Sequence, residues 1–343
     1  MADDPIISRP GRPTIRDVSR LAGVSFKTVS RVINHQQYVS DEKRERVLAV
    51  MAEIGFQPSQ AARALAGHRS HQIALICDNP NPWFVYEVQA GVRERCERDG
   101  VRMIAQPYDR SSPTLLDDIV ALIDQAHPDG IVLAPPACDD RRVIEELQRR
   151  RIPFVRLLPG ARIDGVAATS IDNEQAAYRM TSHLIGLGHV CIGFVVGERS
   201  YAASSQRLAG YLRALADGGI AVDLDYIQQG SFTFASGKVA ADALLDLPMP
   251  PTAIFAASDD MAAGALAAAH RRDIAVPTML SVVGFDDAPL AEIVWPPLTT
   301  IRQPVRQLAI EAADLLLAQS DSIERQIDFQ LIERESTAAP PSA

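Results

Sequence analysis

The chain has 343 residues, is 47% apolar and 6% aromatic, and carries 43 acidic against 34 basic residues for a net charge of −9; that length suffices to bury the cores of two or three domains. No apolar run reaches the roughly 18 residues that a membrane-spanning helix needs, and the polar, proline-containing start MADDPIISRPGRP does not read as a signal peptide, so a cytoplasmic protein is expected. Cys77, Cys96, Cys138 and Cys191 form no CxxC pair and the seven histidines show no HExxH spacing, which points to free thiols and to no metal or cofactor.

Residues 1–12 hold two acids and a proline before Ile6 and are expected to be disordered. Residues 14–34, TIRDVSRLAGVSFKTVSRVIN, then read as two short helices joined by a tight turn. Thr14 can cap the first, with Asp17 in capping-box position. Ile15, Val18 and Leu21 fall on its inner face. Gly23 stands where a chain leaving a helix often needs a positive φ. Ser25 can cap the second helix, which carries Val29, Val32 and Ile33 inward and meets a plausible stop at Asn34. This is the helix-turn-helix pattern. Helical hairpins with a glycine turn are common, so the outward side chains matter more. Phe26, Lys27, Thr28, Ser30 and Arg31 crowd the start and outer face of the second helix, where they offer donors for phosphates and base edges plus one apolar ring.

Ser40 can cap a third helix, with Asp41 and Glu42 in its first turn, where they suit the helix dipole. Val47, Met51 and Ile54 give it an apolar stripe, Gly55 ends it, and Phe56 closes a small core. In QPSQAARALAGHRS, residues 57–70, Pro58 breaks the chain, Ser59 caps, Gln60 to Ala66 is helix-prone and Gly67 stops. So short a helix is marginal alone in water and suggests a segment that folds against a partner. Residues 1–70 carry a net +4 while the remainder carries −13, so a basic headpiece is drawn to a polyanion that an acidic body repels.

From about residue 71, HQIALICD, VRMIAQPY, GIVLAPP, IPFVRLL, CIGFVVGE, YIQQGSF, TAIFAASD and LSVVGFDD alternate with helical stretches. Near-continuous apolar strands between helices indicate parallel sheets covered on both faces, and two such series indicate two lobes. Ligands of open α/β sheets bind at the carboxyl ends of the strands. The loops there hold Trp83, Phe84, Phe232 and Phe234 as flat apolar faces, Asp286 as an acceptor for vicinal hydroxyls and Arg207 as a forked donor. Core packing is the plain alternative for any one aromatic, and Asp260 and Asp287 can instead cap helices or pair with bases. No GxGxxG, GxxxxGK[ST] or GxSxG pattern is present, so no enzyme is expected.

Six stretches in order, PTIRDVSRLAGVSFKTVSRVIN, IGFQPSQAARALAG, QRLAGYLRAL, FAASDDMAAGAL, VVGFDDAPLAE and WPPLTTIRQP, resemble the LacI family of bacterial transcription regulators from Pro13 to about Thr337. The resemblance implies an α/β chain: an N-terminal helix-turn-helix headpiece over 13–58, a hinge helix and linker over 59–70, and a two-lobed, periplasmic-binding-protein-like effector domain with parallel sheets over 71–336. The N-subdomain is expected at about 71–170 plus 304–322 and the C-subdomain at about 171–301 plus 323–336, with crossovers near Ser170 to Asp172, near Thr300 to Gln303 and near the C-terminus. Residues 337–343 are expected to be a disordered tail.

The same resemblance suggests roles. Arg207 and Asp286 match the family's effector-binding Arg and Asp, Ser258 stands where many members have Asn, Phe232 occupies an aromatic pocket position, and Trp83 and Phe84 match an NP-aromatic stretch. In the headpiece it is side-chain chemistry that suits Lys27 to a base contact, Phe26 to a thymine methyl, Arg31 to a base or phosphate, and Thr14, Ser25 and Thr28 to the DNA backbone; family members often carry a different pair at 26 and 27, which leaves the operator sequence open. Leu65 matches the family's minor-groove wedge, with Ala61 small enough for close approach. A homodimer on a near-palindromic operator is expected, because ESTAAPPSA after Arg334 is too short and proline-rich for a tetramerising coil. The favoured effector is an inducing sugar. A corepressor such as a purine is the alternative, and a transport-type binding protein would lack the headpiece.

Overall fold

The computed structural model describes residues 13–33, 38–56, 70–108, 113–318 and 324–341. The chain divides into an N-terminal unit and a larger unit that begins at Gln72.

In the N-terminal unit, α1 spans Ile15–Ala22, α2 Phe26–Ile33 and α3 Asp41–Glu53. Thr14 caps α1 with both halves of the box. The Asp17 N–H donates to Thr14 Oγ1 at 3.4 Å, and the Thr14 N–H donates to Asp17 Oδ2 at 2.9 Å. Gly23 holds φ at 63°, a left-handed conformation that an L side chain resists, and its N–H reaches the Ser19 carbonyl. Ser25 then caps α2 by accepting the Thr28 N–H at 3.2 Å. Val18, Ala22, Val29, Val32, Val47 and Phe56 form the buried core.

Two details depart from the sequence expectation. Leu21 is 50% exposed and Ala22 is buried in its place. At about 100° per residue, Ile15, Val18 and Ala22 share one stripe and Leu21 lies about a quarter-turn away. Ser40 precedes α3 without making a side-chain cap bond. The expected disordered segment 1–12 and the hinge residues Ala61 and Leu65 lie outside the described residues.

In the larger unit the chain runs β1 Gln72–Ile76, α4 Pro82–Arg98, β2 Arg102–Gln106, α5 Leu115–Ala126, β3 Gly130–Leu133, α6 Arg141–Arg150, β4 Phe154–Leu157 and β5 Ala167–Ser170. It crosses to a second lobe made of α7 Asn173–Gly186, β6 Ile192–Val196, α8 Ala202–Asp217, β7 Ile227–Gln229, α9 Phe234–Leu245, β8 Ala253–Ala256, α10 Asp259–His270, β9 Ser281–Val283, α11 Leu290–Ile293 and β10 Thr300–Arg302. It returns through α12 Val305–Leu317 and β11 Glu324–Gln326, then ends on β12 Gln330–Ile332.

One sheet has the order β11-β5-β4-β3-β1-β2 and the other β7-β6-β8-β9, with parallel pairing throughout. Runs such as Ile192–Val196 and Ala253–Ala256 are buried at every position, as strands covered on both faces must be. β10 and β12 form an antiparallel ribbon near the two return crossovers. Close helix packing holds the second lobe together. A β-carbon on Gly210 of α8 would stand 2.0 Å from the Glu174 carbonyl oxygen of α7, so only glycine admits this approach.

The domain limits need two corrections. Glu324–Gln326, expected in the C-subdomain, pairs in parallel with Ala168–Ser170 and extends the first lobe's sheet. The last crossover therefore falls after β11. The tail expected to be disordered from 337 is ordered as far as 341. Its backbone finds partners at β9: the Ala338 N–H donates to Ser281 Oγ at 3.1 Å, and the Ala338 carbonyl lies 2.9 Å from His189 Nε2. A proline-rich composition hides such tethers.

Candidate functional site

The helix-turn-helix presents one face of α2. Val29 and Val32 are buried beneath it, Phe26 is 55% exposed and Lys27 is exposed, with Ser30 and Arg31 half-buried. Phe26, Ser30, Lys27 and Arg31 fall within an arc of about 140° on the helix surface. Thr28 lies off that arc, and its hydroxyl is 2.9 Å from Ser25 Oγ. Ser25 and Thr28 thus secure the start of α2, and exposed Thr14 does the same for α1.

In the larger unit, loops from both lobes line a cavity at the carboxyl ends of the strands, where ligands of open α/β sheets bind. Phe84, Arg207, Phe232, Ser258 and Asp286 line it together. Each is placed by the end of a strand or the start of a helix. Asn81 caps α4 by accepting the Trp83 and Phe84 N–H groups, which turns Phe84 inward. Ser258 caps α10 through the Met261 N–H at 3.3 Å. Phe232, with φ at 60°, sets its ring edge-on to Tyr201 with centroids 5.5 Å apart. Gly197 leaves it room, since a β-carbon there would stand 2.1 Å from the ring.

Arg207 is 4% exposed and firmly held. Its Nε donates to Asn173 Oδ1 at 3.0 Å and its Nη1 to the Ala257 carbonyl at 2.6 Å, while the guanidinium carbon sits 3.5 Å over the Phe285 ring. Asp286 lies 4.0 Å from Nη1 and accepts from Gln303 Nε2 at 2.5 Å. Burial dominates both charges. It pushes Asp286 up to about 7 against the pull of Arg207, and lowers Arg207 to about 10 despite Asp286 and Asp259. Asp286 and Leu158, at φ 123° and 49°, are further non-glycine cavity residues with left-handed backbone. Strain of this kind persists where the surroundings over-determine it.

Trp83 is not among the residues lining this cavity. It lines a neighbouring opening with Arg302, Pro304 and Arg306, while Phe84 faces the cavity. Adjacent helical residues point about 100° apart, so one of the pair had to turn away. Phe234 is likewise outside the lining, at the exposed start of α9. Asp287 pairs with Arg302 and Arg334, and Asp260 accepts from Asn81 across the lobes at 2.8 Å. Sequence reasoning missed Asn173, Gln303, Tyr201 and Asn81. A signal existed for two of them: Asn173 and Gln303 stand at the expected crossovers, where a cleft has its floor.

A headpiece with a recognition-helix face, joined in sequence to a two-lobed ligand-binding unit, defines a ligand-responsive DNA-binding regulator. Comparison with known proteins bears this out. Residues 14–59 match the model of bacterial regulatory proteins of the lacI family, and residues 181–337 match a periplasmic binding protein-like domain. The transcriptional regulator DegA of Bacillus subtilis is 35% identical over 304 residues, covering 88% of this chain and 89% of its own. A lac repressor dimer solved with operator and the anti-inducer ONPF superposes with a TM-score of 0.85 at 28% identity, covering 96% of this chain and all of that one. A complex of the regulator CelR with cellobiose gives 0.73 at 30% identity, covering 95% and 100%. The chain belongs to the LacI family of transcriptional regulators, whose relatives here are regulators rather than enzymes. Among the described residues no helix is long and apolar enough to cross a membrane.

Proposed function

We propose that the protein is a cytoplasmic homodimeric repressor that leaves a near-palindromic operator when a sugar occupies the cavity. The observation that carries this reading is the buried constellation of Arg207, Asn173, Asp286 and Gln303 beside Phe84 and Phe232. It combines forked donors, acceptors and flat apolar faces, the chemistry that suits a pyranose. The cellobiose complex of CelR supports it by likeness. On DNA, Lys27 donates to guanine O6 and N7, Phe26 meets a thymine methyl, and Arg31 and Ser30 hold a base edge or phosphate. Thr14, Ser25 and Thr28 set register at the backbone, and Ala61 and Leu65 take the minor groove.

Ligand binding then favours the lobe arrangement in which the two headpieces do not fit one operator, by no more than its differential affinity for the two states. A purine corepressor is the second reading, since Phe84 and Phe232 also suit a flat base. The test is a selection of bound duplexes from random DNA, with and without a panel of sugars and purines. A palindrome lost with one sugar supports release by a sugar. A palindrome strengthened by a purine supports corepression. No enriched sequence from a folded dimer defeats both.

A further inference from the structure

Resting on the reading above of a dimer held on an operator, we propose that Asp129 is a positioning residue for DNA binding. Its carboxylate clamps the chain at the point where the linker runs into β1, so that movement of the first lobe reaches residue 70 instead of being absorbed in loose chain.

Three donors converge on this one carboxylate. The Ser70 N–H donates to Asp129 Oδ1 at 2.7 Å and the Ser70 hydroxyl to the same oxygen at 3.1 Å, while the His71 N–H donates to Oδ2 at 2.9 Å. The bonds span 59 and 58 residues of chain. Asp140 and Asp172, by contrast, accept from the N–H groups of the helices they precede. Asp129 precedes a strand, so helix capping does not account for it. Bonds of this kind to a carboxylate are among the stronger ones a backbone N–H makes.

The clamp sits at the junction of the two units. Ser70, His71 and Asp129 belong to the N-terminal unit, and the chain passes into the larger one directly after His71 and again directly after Asp129. Ile73 of β1 pairs with Gly130 of β3, so these two entries lie side by side. The carboxylate is held in place by packing on either side of it. Pro128 is buried, and a β-carbon on Gly130 would stand 2.6 Å from Leu316 Cδ1 of α12.

The backbone here is also strained. His71 and His127 hold φ at 53° and 44° without being glycine, and His127 precedes a proline, which favours extended backbone. Such strain persists where neighbouring contacts over-determine it, and it gathers at switch regions. Thirteen residues, 57–69, separate Phe56 of the headpiece core from Ser70. A flexible stretch of that length passes on no direction unless its ends are held.

Two measurements on the full-length protein test the clamp. Asp129→Ala removes all three bonds, and the isosteric Asp129→Asn keeps one accepting oxygen. Trypsin can cut after Arg63 and after Arg69, and the second of these bonds ends on Ser70, which is 9% exposed. In the parent the cut at Arg69 is expected to be the slower. Asp129→Ala is expected to speed it at least about tenfold and to leave the cut at Arg63 unchanged. Equal rates at the two sites in the parent, or a rate at Arg69 that the substitution does not alter, overturn the proposal.

The second measurement compares affinity for the selected operator with affinity for a random-sequence duplex. Asp129→Ala is expected to weaken operator binding at least about tenfold, because two freed residues must be ordered again on the operator. Binding to the random duplex, which phosphate contacts dominate, is expected to stay within about twofold. An unchanged operator affinity, or an equal loss on both duplexes, overturns the positioning role. Asp129→Asn is expected to fall between parent and Asp129→Ala in both measurements, and it carries the test if Asp129→Ala does not give a folded dimer. A random pool that yields no operator defeats the repressor reading, and the trypsin rates then decide the clamp without DNA.

Discussion

Replacing Arg207 by lysine keeps the charge and discards the fork. The guanidinium makes two directed bonds, to Asn173 Oδ1 at 3.0 Å and to the Ala257 carbonyl at 2.6 Å, and lies flat 3.5 Å over Phe285. An ammonium is a compact tetrahedral donor, so it can keep at most part of this set and loses the planar stacking. One charge-assisted bond contributes about 1.5–3 kcal/mol and the ring contact about 1 kcal/mol. The expected loss of stability is therefore about 2–4 kcal/mol. Cheaper burial does not offset it, because a lysine ammonium at this site is desolvated as the guanidinium is. Across a unit this size the loss corresponds to a fall of about 5–10 °C in Tm. Operator binding without effector is expected to persist at a temperature where the variant is folded, and the ligand concentration that half-releases the operator is expected to rise at least about thirtyfold. Thermal unfolding and operator release by fluorescence anisotropy measure the two effects. A variant within about 0.5 kcal/mol of the parent, with an unchanged release midpoint, would refute the forked role of Arg207.

Asp286→Asn tests the buried carboxylate through pH. Its folded value of about 7 lies above that of an unfolded carboxylate, so the protonated form favours the fold. That stability is complete below about pH 4 and is lost as pH rises through about 7, by at most about 4 kcal/mol. Urea midpoints of the parent are expected to fall between pH 5 and 7.5 while the variant stays flatter, and equal slopes would contradict the shift. Gly210→Ala sets a methyl 2.0 Å from the Glu174 carbonyl oxygen, so α7 and α8 must part; calorimetry of the larger unit should show a loss of at least about 1–3 kcal/mol. Lys27→Ala is expected to cost about 1–3 kcal/mol on the selected operator and to relax preference at one base pair. A loss shared equally by random DNA would make Lys27 a phosphate contact instead.

Much of this protein was legible in the chain itself, and for local reasons. Capping residues and apolar spacing are read within one or two turns, so Thr14, Asp17, Gly23 and Ser25 located the helix-turn-helix, and continuous apolar runs located both sheets. The rule that ligands meet strand ends placed Phe84, Arg207, Phe232, Ser258 and Asp286 in one cavity. What the chain alone left open depends on contacts distant in sequence. Whether Trp83 or Phe84 faces the cavity is decided by the rotation of α4, which begins at the Asn81 cap, and Asn81 in turn bonds Asp260 at a separation of 179 residues. Asn173 and Gln303 become neighbours of Arg207 and Asp286 only when two crossovers close the cleft. The parallel pairing of Glu324–Gln326 with β5 and the anchoring of Ala338 at β9 are long-range in the same way. Short-range pattern specifies which faces are apolar and where helices begin; the order of strands and the return of the chain decide which polar groups share one buried space, and hence which of them a ligand must satisfy.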